Sequence, residues 1–220
     1  MRIACAPEGL PPTMGLGPTT VWSYGSANHP GSFNYPAFTI EADWRRPVRV
    51  RWINDLVDSR GRFLPHLLPI DQTLHWANPP GGRHGRDRYG TSHRPYRGPV
   101  PIVTHLHGGH SGQESDGHPE AWYLPRAHDI PGGHARAGSL YRPFRVLAQS
   151  KHHQAWTPGS AVFQYDNDQR AATMWYHDHT LGMTRANVYA GPAGFYLLRG
   201  GPADAVDGEL PGPAPALGAM

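Results

Sequence analysis

Residues 48–52 read VRVRW, and their apolar and charged side chains strictly alternate. Successive side chains of a strand point to opposite faces of a sheet, so this alternation predicts a half-buried β-strand. Similar short runs of apolar or β-branched residues lie at 20–24, 38–42, 48–53, 100–107, 161–165, 172–177 and 195–198. Pro, Gly, Asn and Asp separate these runs, and no pattern indicates a helix longer than two turns. The sequence therefore predicts an all-β protein, either a sandwich or a barrel.

The composition supports many turns and excludes several functions. The 220 residues include 27 Gly and 24 Pro, which favour short strands over long helices. No apolar run is long enough to span a membrane. The net charge is +3, but the arginines are spread along the chain and no nucleic-acid-binding motif is present, so we expect no nucleic-acid partner. The single cysteine, Cys5, excludes an internal disulfide.

Two polar stretches rich in Pro, Gly, Arg and His are expected to be long loops. They cover residues 78–98 and 125–159. From Gly200 onward the sequence becomes a Pro/Ala/Gly-rich tail that cannot bury a core. We therefore expect the folded domain to end near Arg199.

Two His-x-His pairs, His105/His107 and His177/His179, each follow an apolar run. Residues i and i+2 of a strand share a face and lie roughly 6.5–7 Å apart, so each pair can address one metal or two neighbouring metals. All-imidazole sites suit copper, zinc, iron or nickel, so the ligands alone leave the metal open. Asp178, between the second pair, is expected to point to the opposite face and to have a structural role.

The other histidines are expected to be surface or packing residues rather than ligands. They are His29, His66, His75, His84, His93, His110, His118, His128, His134, His152 and His153.

The segments around the two pairs resemble the copper motifs of multicopper oxidases, and most of all those of the bacterial spore-coat laccase, bilirubin oxidase and phenoxazinone synthase group. Residues 104–109 (THLHGG) with 115–122 (SDGHPEAW) resemble the first motif. Residues 175–179 (WYHDH) with 184–191 (TRANVYAG) resemble the second. The resemblance covers about residues 17–199.

This resemblance implies the amino-terminal cupredoxin domain of such an oxidase, with a Greek-key β-sandwich fold and long loops. The implied organisation is an N-terminal extension at 1–16, the cupredoxin-like domain at 17–199, and a tail at 200–220 that begins an interdomain connector.

The resemblance also implies roles for five residues. His105 would ligate a type 2 copper ion, and His107, His177 and His179 would ligate the type 3 pair. Asp116 would assist proton delivery. In the family the other four cluster histidines and the type 1 copper ligands lie in the carboxy-terminal domain. The implied function of this chain is to supply half of the ligands of the trinuclear copper cluster.

The family consists of laccase-like oxidoreductases that oxidise phenolic or similar substrates and reduce O2 to water. We expect O2, a small reducing substrate and the missing carboxy-terminal domains as partners, and this chain alone to be an incomplete, inactive fragment. Residues 1–8 contain no apolar secretory segment, so a cytoplasmic or spore-associated location is expected.

Two alternatives stay open. One is an inactive, truncated domain that binds copper weakly. The other is a cupin-like protein with a single metal ion, but that motif needs a glutamate soon after the second histidine, and Glu114 comes too late.

Overall fold

The computed structural model describes residues 1–6, 19–90 and 92–201. The strands are β1 (Arg2–Ala6), β2 (Val21–Gly25), β3 (Ala37–Asp43), β4 (Val48–Asn54), β5 (Thr104–His107), β6 (Ser160–Tyr165), β7 (Ala172–Asp178) and β8 (Ala193–Arg199). The helices are α1 (Gly82–Gly85), α2 (Tyr141–His152) and α3 (Thr184–Tyr189), with 3₁₀ turns at Pro30–Ser32, Pro79–Gly81 and Pro119–Ala121. None of the helices in this part of the chain is long and apolar enough to cross a membrane.

The strands form two four-stranded sheets, in the orders β2-β1-β4-β6 and β3-β8-β7-β5. Pairing is antiparallel except between β1 and β4 and between β3 and β8. From β2 to β7 the chain changes sheet at every step. These crossings produce the predicted all-β fold, a cupredoxin-like Greek-key sandwich with long loops.

Each of the seven predicted runs overlaps a strand, and most predicted strand ends lie within one or two residues of the observed ends. The run at 100–107 shortens to β5, because Pro101 lacks the N–H that a sheet ladder requires, Ile102 pairs with Tyr123, and the Val103 N–H donates to the Asp178 side chain. Strand β1 was not predicted. It pairs with β2 and β4 inside the first sheet, although it falls in the segment predicted as an extension. Residues 7–18 and 202–220 lie outside the described residues, so the domain boundaries stay predictions.

The expectation that no helix exceeds two turns was wrong, because α2 has 12 residues inside the stretch predicted as a loop. Its buried residues, Tyr141, Phe144 and Ala148, follow the spacing of one helix face. Pro143 lies in the first turn, where its missing N–H costs no helical hydrogen bond. Pro143 and the exposed Val146 lie between these positions and obscured the pattern in the sequence.

Three aromatic side chains join the two sheets in the core. Tyr24 of β2 packs edge-on against Trp52 of β4, with ring centroids 5.2 Å apart, and against Tyr176 of β7, 5.0 Å away. Such contacts contribute about 0.5–1.5 kcal/mol each beyond the area they bury. Because Tyr176 is fixed inward, its neighbours Trp175 and His177 must point to the outer face of the second sheet.

Candidate metal centre

The antiparallel pairing of β5 with β7 brings the two His-x-His pairs together. His105 lies opposite His177, and Leu106 lies opposite Tyr176. Leu106 and Tyr176 are buried in the core, so the histidines face outward on the same side of the sheet.

Three of the four predicted ligands converge directly. The ligand atoms of His105, His107 and His177 all lie within 4.8 Å of one another. His179 follows the end of β7 and lies beside these three histidines. Its ring centroid is 4.8 Å from that of His105 and 5.8 Å from that of His177. The backbone N–H of His179 donates to the Val103 carbonyl, 2.8 Å away, which ties it to the segment that leads into β5.

The hydrogen bonds of the rings leave nitrogen atoms free for a metal. The Nδ1–H of His105 donates to the Asp116 carbonyl, and that of His177 donates to the Asp178 carbonyl, 2.7 Å away. Each Nε2 therefore keeps its lone pair. The Nε2 of His177 accepts a hydrogen bond from the Nδ1–H of His107, 3.2 Å away, and a bound metal would replace that contact. The buried Nδ1 of His179 has no hydrogen-bond partner within the described residues. These donors fit a metal ion that prefers imidazole.

Electrostatics keep two of the rings neutral. Burial and the neighbouring imidazoles lower the pKa of His177 to about 4. Burial and the nearby His105 also lower the pKa of His179. Burial lowers the pKa of His105 as well, but hydrogen bonding to Asp116 outweighs it, so that pKa lies above its ordinary value. Neutral imidazole is the form that binds a metal.

Asp116 lies beside the cluster and is open to solvent. Its carboxylate Oδ1 is 3.5 Å from the Nδ1 of His105, and its side chain is 46% exposed. Its backbone carbonyl accepts the His105 hydrogen bond at the same time. Asp116 thus contacts both a candidate ligand and water.

Gly117 allows the Asp116 loop to touch β5. Its φ is +78°, and a Cβ there would lie 2.0 Å from the Thr104 carbonyl oxygen and 2.8 Å from the His105 Cα. Only glycine fits this contact. The position of Asp116 relative to His105 therefore depends on the absence of a side chain at residue 117.

Asp178 has the predicted structural role. Its buried carboxylate accepts four hydrogen bonds: from the Val103 N–H, from the N–H and hydroxyl of Thr180, and from the side-chain amide of Asn187. Burial raises its pKa to about 6, although the donated bonds oppose that shift. The carboxylate thus fastens the end of β7 to the approach of β5 and to α3.

Trp175 is a site residue that the sequence analysis missed. It is 36% exposed, and its ring stacks on His177 with centroids 4.0 Å apart and an interplanar angle of 28°. It also stacks on His107 at 5.5 Å and 25°. The signal was available, because Trp175 is two residues before His177 and so shares its face of the strand.

Glu114 anchors the loop that carries Asp116. Its side chain is only 2% exposed, forms an ion pair with Lys151 at 3.1 Å and hydrogen-bonds His152 at 2.9 Å, at the end of α2. His152 was expected to be a plain surface residue, and this contact corrects that expectation. Helix α2 thereby supports the loop beside His105.

We expect Glu114→Gln to lower the free energy of unfolding at pH 7 by about 2 kcal/mol, the size of hydrogen bonds to a charged group. Burial raises the pKa of Glu114, but hydrogen bonds from His152 and Lys151 outweigh it and hold the pKa below 4.5. The stabilisation is therefore complete above about pH 4.5 and is lost as the pH falls through the folded-state pKa. Urea unfolding of both proteins across this range measures the difference.

Glu41→Gln is the matched control, because Glu41 is 59% exposed in its pair with Arg199. It should change stability by less than about 0.5 kcal/mol. A Glu114→Gln protein as stable as the wild type at pH 7 would contradict the anchoring role.

Two histidines that follow the first pair in the sequence each contact a carboxylate. His110 lies 3.4 Å from the Asp168 carboxylate, and His118 lies 2.8 Å from that of Glu120. His66 packs against the Trp22 ring and hydrogen-bonds Asn187.

Comparison with known proteins gives relatives of one kind, although no family model matches the chain. A laccase of Bacillus stratosphericus is 34% identical over 183 residues, which are 83% of this chain and 26% of that protein. A laccase of Bacillus subtilis is 32% identical over 183 residues, and the multicopper oxidase LPR1 of Arabidopsis thaliana is 33% identical over 181 residues. The chain thus spans about a quarter of the length of these curated relatives.

Solved structures of multicopper oxidases are also similar. A laccase-like oxidase CueO of Ochrobactrum sp. has 11% identity and a TM-score of 0.47, and 91% of this chain covers 27% of it. A multicopper oxidase of Pediococcus acidilactici has 16% identity and a TM-score of 0.44, and 90% of this chain covers 24% of it. On the sequence identities to the curated laccases and oxidases, this chain belongs to the multicopper oxidase family.

Proposed function

We propose that this chain supplies half of the protein ligands of a trinuclear copper cluster in a laccase-like oxidase. His105 would hold the type 2 ion, and His107, His177 and His179 would hold the type 3 pair. The observation that carries the proposal is the convergence of three imidazoles within 4.8 Å, with His179 beside them. The other ligands and the substrate-oxidising site would come from further domains of the kind that the longer relatives contain.

Among the metals that imidazole ligands suit, copper is the one that the intrinsic order of affinities favours. Among divalent first-row ions, copper(II) binds nitrogen ligands most tightly, and neutral imidazoles are suitable donors for it. When bound in the complete cluster, copper would supply the electron transfer by which O2 is reduced to water while a phenolic or similar substrate is oxidised.

The residues of this chain would orient the ligands and deliver protons. The carbonyls of Asp116 and Asp178 fix which nitrogen of His105 and His177 is free, and Trp175 restricts two rings by stacking. The Oδ1 of Asp116 would carry protons from solvent to the cluster, because it is exposed and lies beside His105. The cupredoxin-like domain that carries these residues would span residues 17–199.

Trp175 offers a direct test, since its ring lies against two proposed ligands. Copper(II) added to the chain should quench tryptophan emission, and Trp175→Phe should remove most of that quenching while calorimetry still detects binding. Fluorescence and calorimetric titrations of both proteins measure this.

Trp44→Phe is the control, because Trp44 stacks under Arg45, is partly exposed and contacts none of the four histidines. It should leave the copper-dependent quenching unchanged. Copper binding without quenching, or equal quenching in Trp175→Phe, would place the bound metal away from the four histidines.

A further inference from the structure

A cleft of about 210 Å³ lies on the side of the domain that carries α2. The segment 123–126, the first half of α2 and the turn at Pro158 and Gly159 form its walls. Tyr123 and Tyr141 contribute buried rings, 5.6 Å apart, to its inner surface. None of the four proposed copper ligands lines this cleft, so it is separate from the metal centre.

Three arginines, Arg126, Arg136 and Arg145, line the cleft, and no acidic side chain does. Within the described part of the chain, none of the three has a carboxylate partner. A protein surface normally mixes positively and negatively charged side chains. Three unpaired guanidinium groups around one small cleft therefore create a site that attracts an anion.

Gly159 keeps one edge of the cleft open. Its φ is +77°, and a Cβ there would lie 2.9 Å from the Cγ and 3.3 Å from the backbone nitrogen of Arg126. A side chain at this position would push Arg126 out of place. The absence of a side chain at residue 159 therefore lets Arg126 take its place in the lining of the cleft.

We propose that this arginine-lined cleft binds a small aromatic carboxylate. Guanidinium groups pair with carboxylates through two parallel hydrogen bonds, which a compact ammonium cannot do. The tyrosine, leucine and proline side chains of the walls suit an apolar ring rather than a bare ion. Typical drug-sized ligands occupy about 300–1,000 Å³, so this smaller cleft limits the ligand to about one ring.

Benzoate titrated into the full 220-residue chain by calorimetry tests the proposal, with benzamide as the neutral analogue and inorganic phosphate as the compact anion. We expect benzoate to bind at least about tenfold more tightly than benzamide, since charge-assisted hydrogen bonds are roughly twice as strong as neutral ones. Arg126→Gln and Arg145→Gln should each weaken benzoate about fivefold or more. Arg142→Gln should have no effect, because Arg142 lies on the same helix, is exposed and does not line the cleft.

Several results would overturn the proposal. Equal affinity for benzamide would show that the negative charge does not contribute to binding. Binding of phosphate as tight as that of benzoate would show that the aromatic ring does not contribute. An unchanged affinity in Arg145→Gln, or the same loss in Arg142→Gln, would place the bound benzoate elsewhere. Circular dichroism of each variant confirms that the fold is retained. None of these outcomes depends on copper, so they leave the proposed metal centre untouched.

Discussion

Replacing Asp178 by alanine is expected to lower the free energy of unfolding by about 4 kcal/mol. The change removes the acceptor of four buried donors: the N–H of Val103, the N–H and hydroxyl of Thr180, and the Asn187 amide. The Thr180 hydroxyl can still donate to the Pro101 carbonyl, 3.3 Å away, so three donors are left without an acceptor. Water does not reach these donors inside the core, so each unsatisfied donor bears the full cost of having lost its hydration. Urea unfolding followed by tryptophan fluorescence measures the loss.

Asp178→Asn separates shape from charge. The amide has the same size, but one acceptor oxygen becomes a donor that faces two other donors. We therefore expect a loss of about 3 kcal/mol, nearly that of alanine. Asp168→Ala is the control, because Asp168 is 59% exposed in its pair with His110, and it should cost less than about 0.5 kcal/mol. A stability of Asp178→Asn within about 1 kcal/mol of the wild type would mean that these hydrogen bonds contribute little.

The second large effect concerns copper binding. The double variant His105→Ala/His177→Ala removes two of the three converging imidazoles, which lie opposite each other on β5 and β7. Loss of an outer-shell partner alone costs about 10–100-fold in metal affinity, so loss of two ligands should cost more. Calorimetric titration with copper(II) at neutral pH compares the proteins.

The wild-type chain should bind fewer than three copper ions, because half of the cluster ligands are proposed to lie in another domain. His93→Ala is the control, since His93 is exposed in a polar loop, and its copper binding should equal that of the wild type. Tight binding of three ions by this chain, or unchanged binding in the double variant, would show that copper binds to other residues.

The strands were predictable because each combines apolar or β-branched residues with nearby turn residues. Helix α2 was not, since Pro143 and the exposed Val146 obscure the spacing of its buried apolar residues. The first strand was missed because residues 2–6 alone do not alternate, and its partners β2 and β4 lie far along the chain.

The histidine pairs stood out by spacing, but their register could not be read from the sequence. Whether His105 lies opposite His177 or one residue away depends on how the whole sheet packs. The contacts of Glu114 were equally hidden, since Lys151 is 37 residues away and reaches Glu114 only because α2 forms. Trp175 is different, because strand periodicity alone would have placed it beside His177.

The pairing of β5 with β7 also sets the order in which the metal centre can form. His107 and His177 are 70 residues apart, so they meet only after a long loop has closed. Contacts of such high sequence separation slow folding. Before they form, the chain offers 15 histidines without fixed geometry, and copper bound to that unfolded ensemble would oppose folding. Refolding in a chelator and adding copper only afterwards should therefore recover more native protein than refolding with copper present.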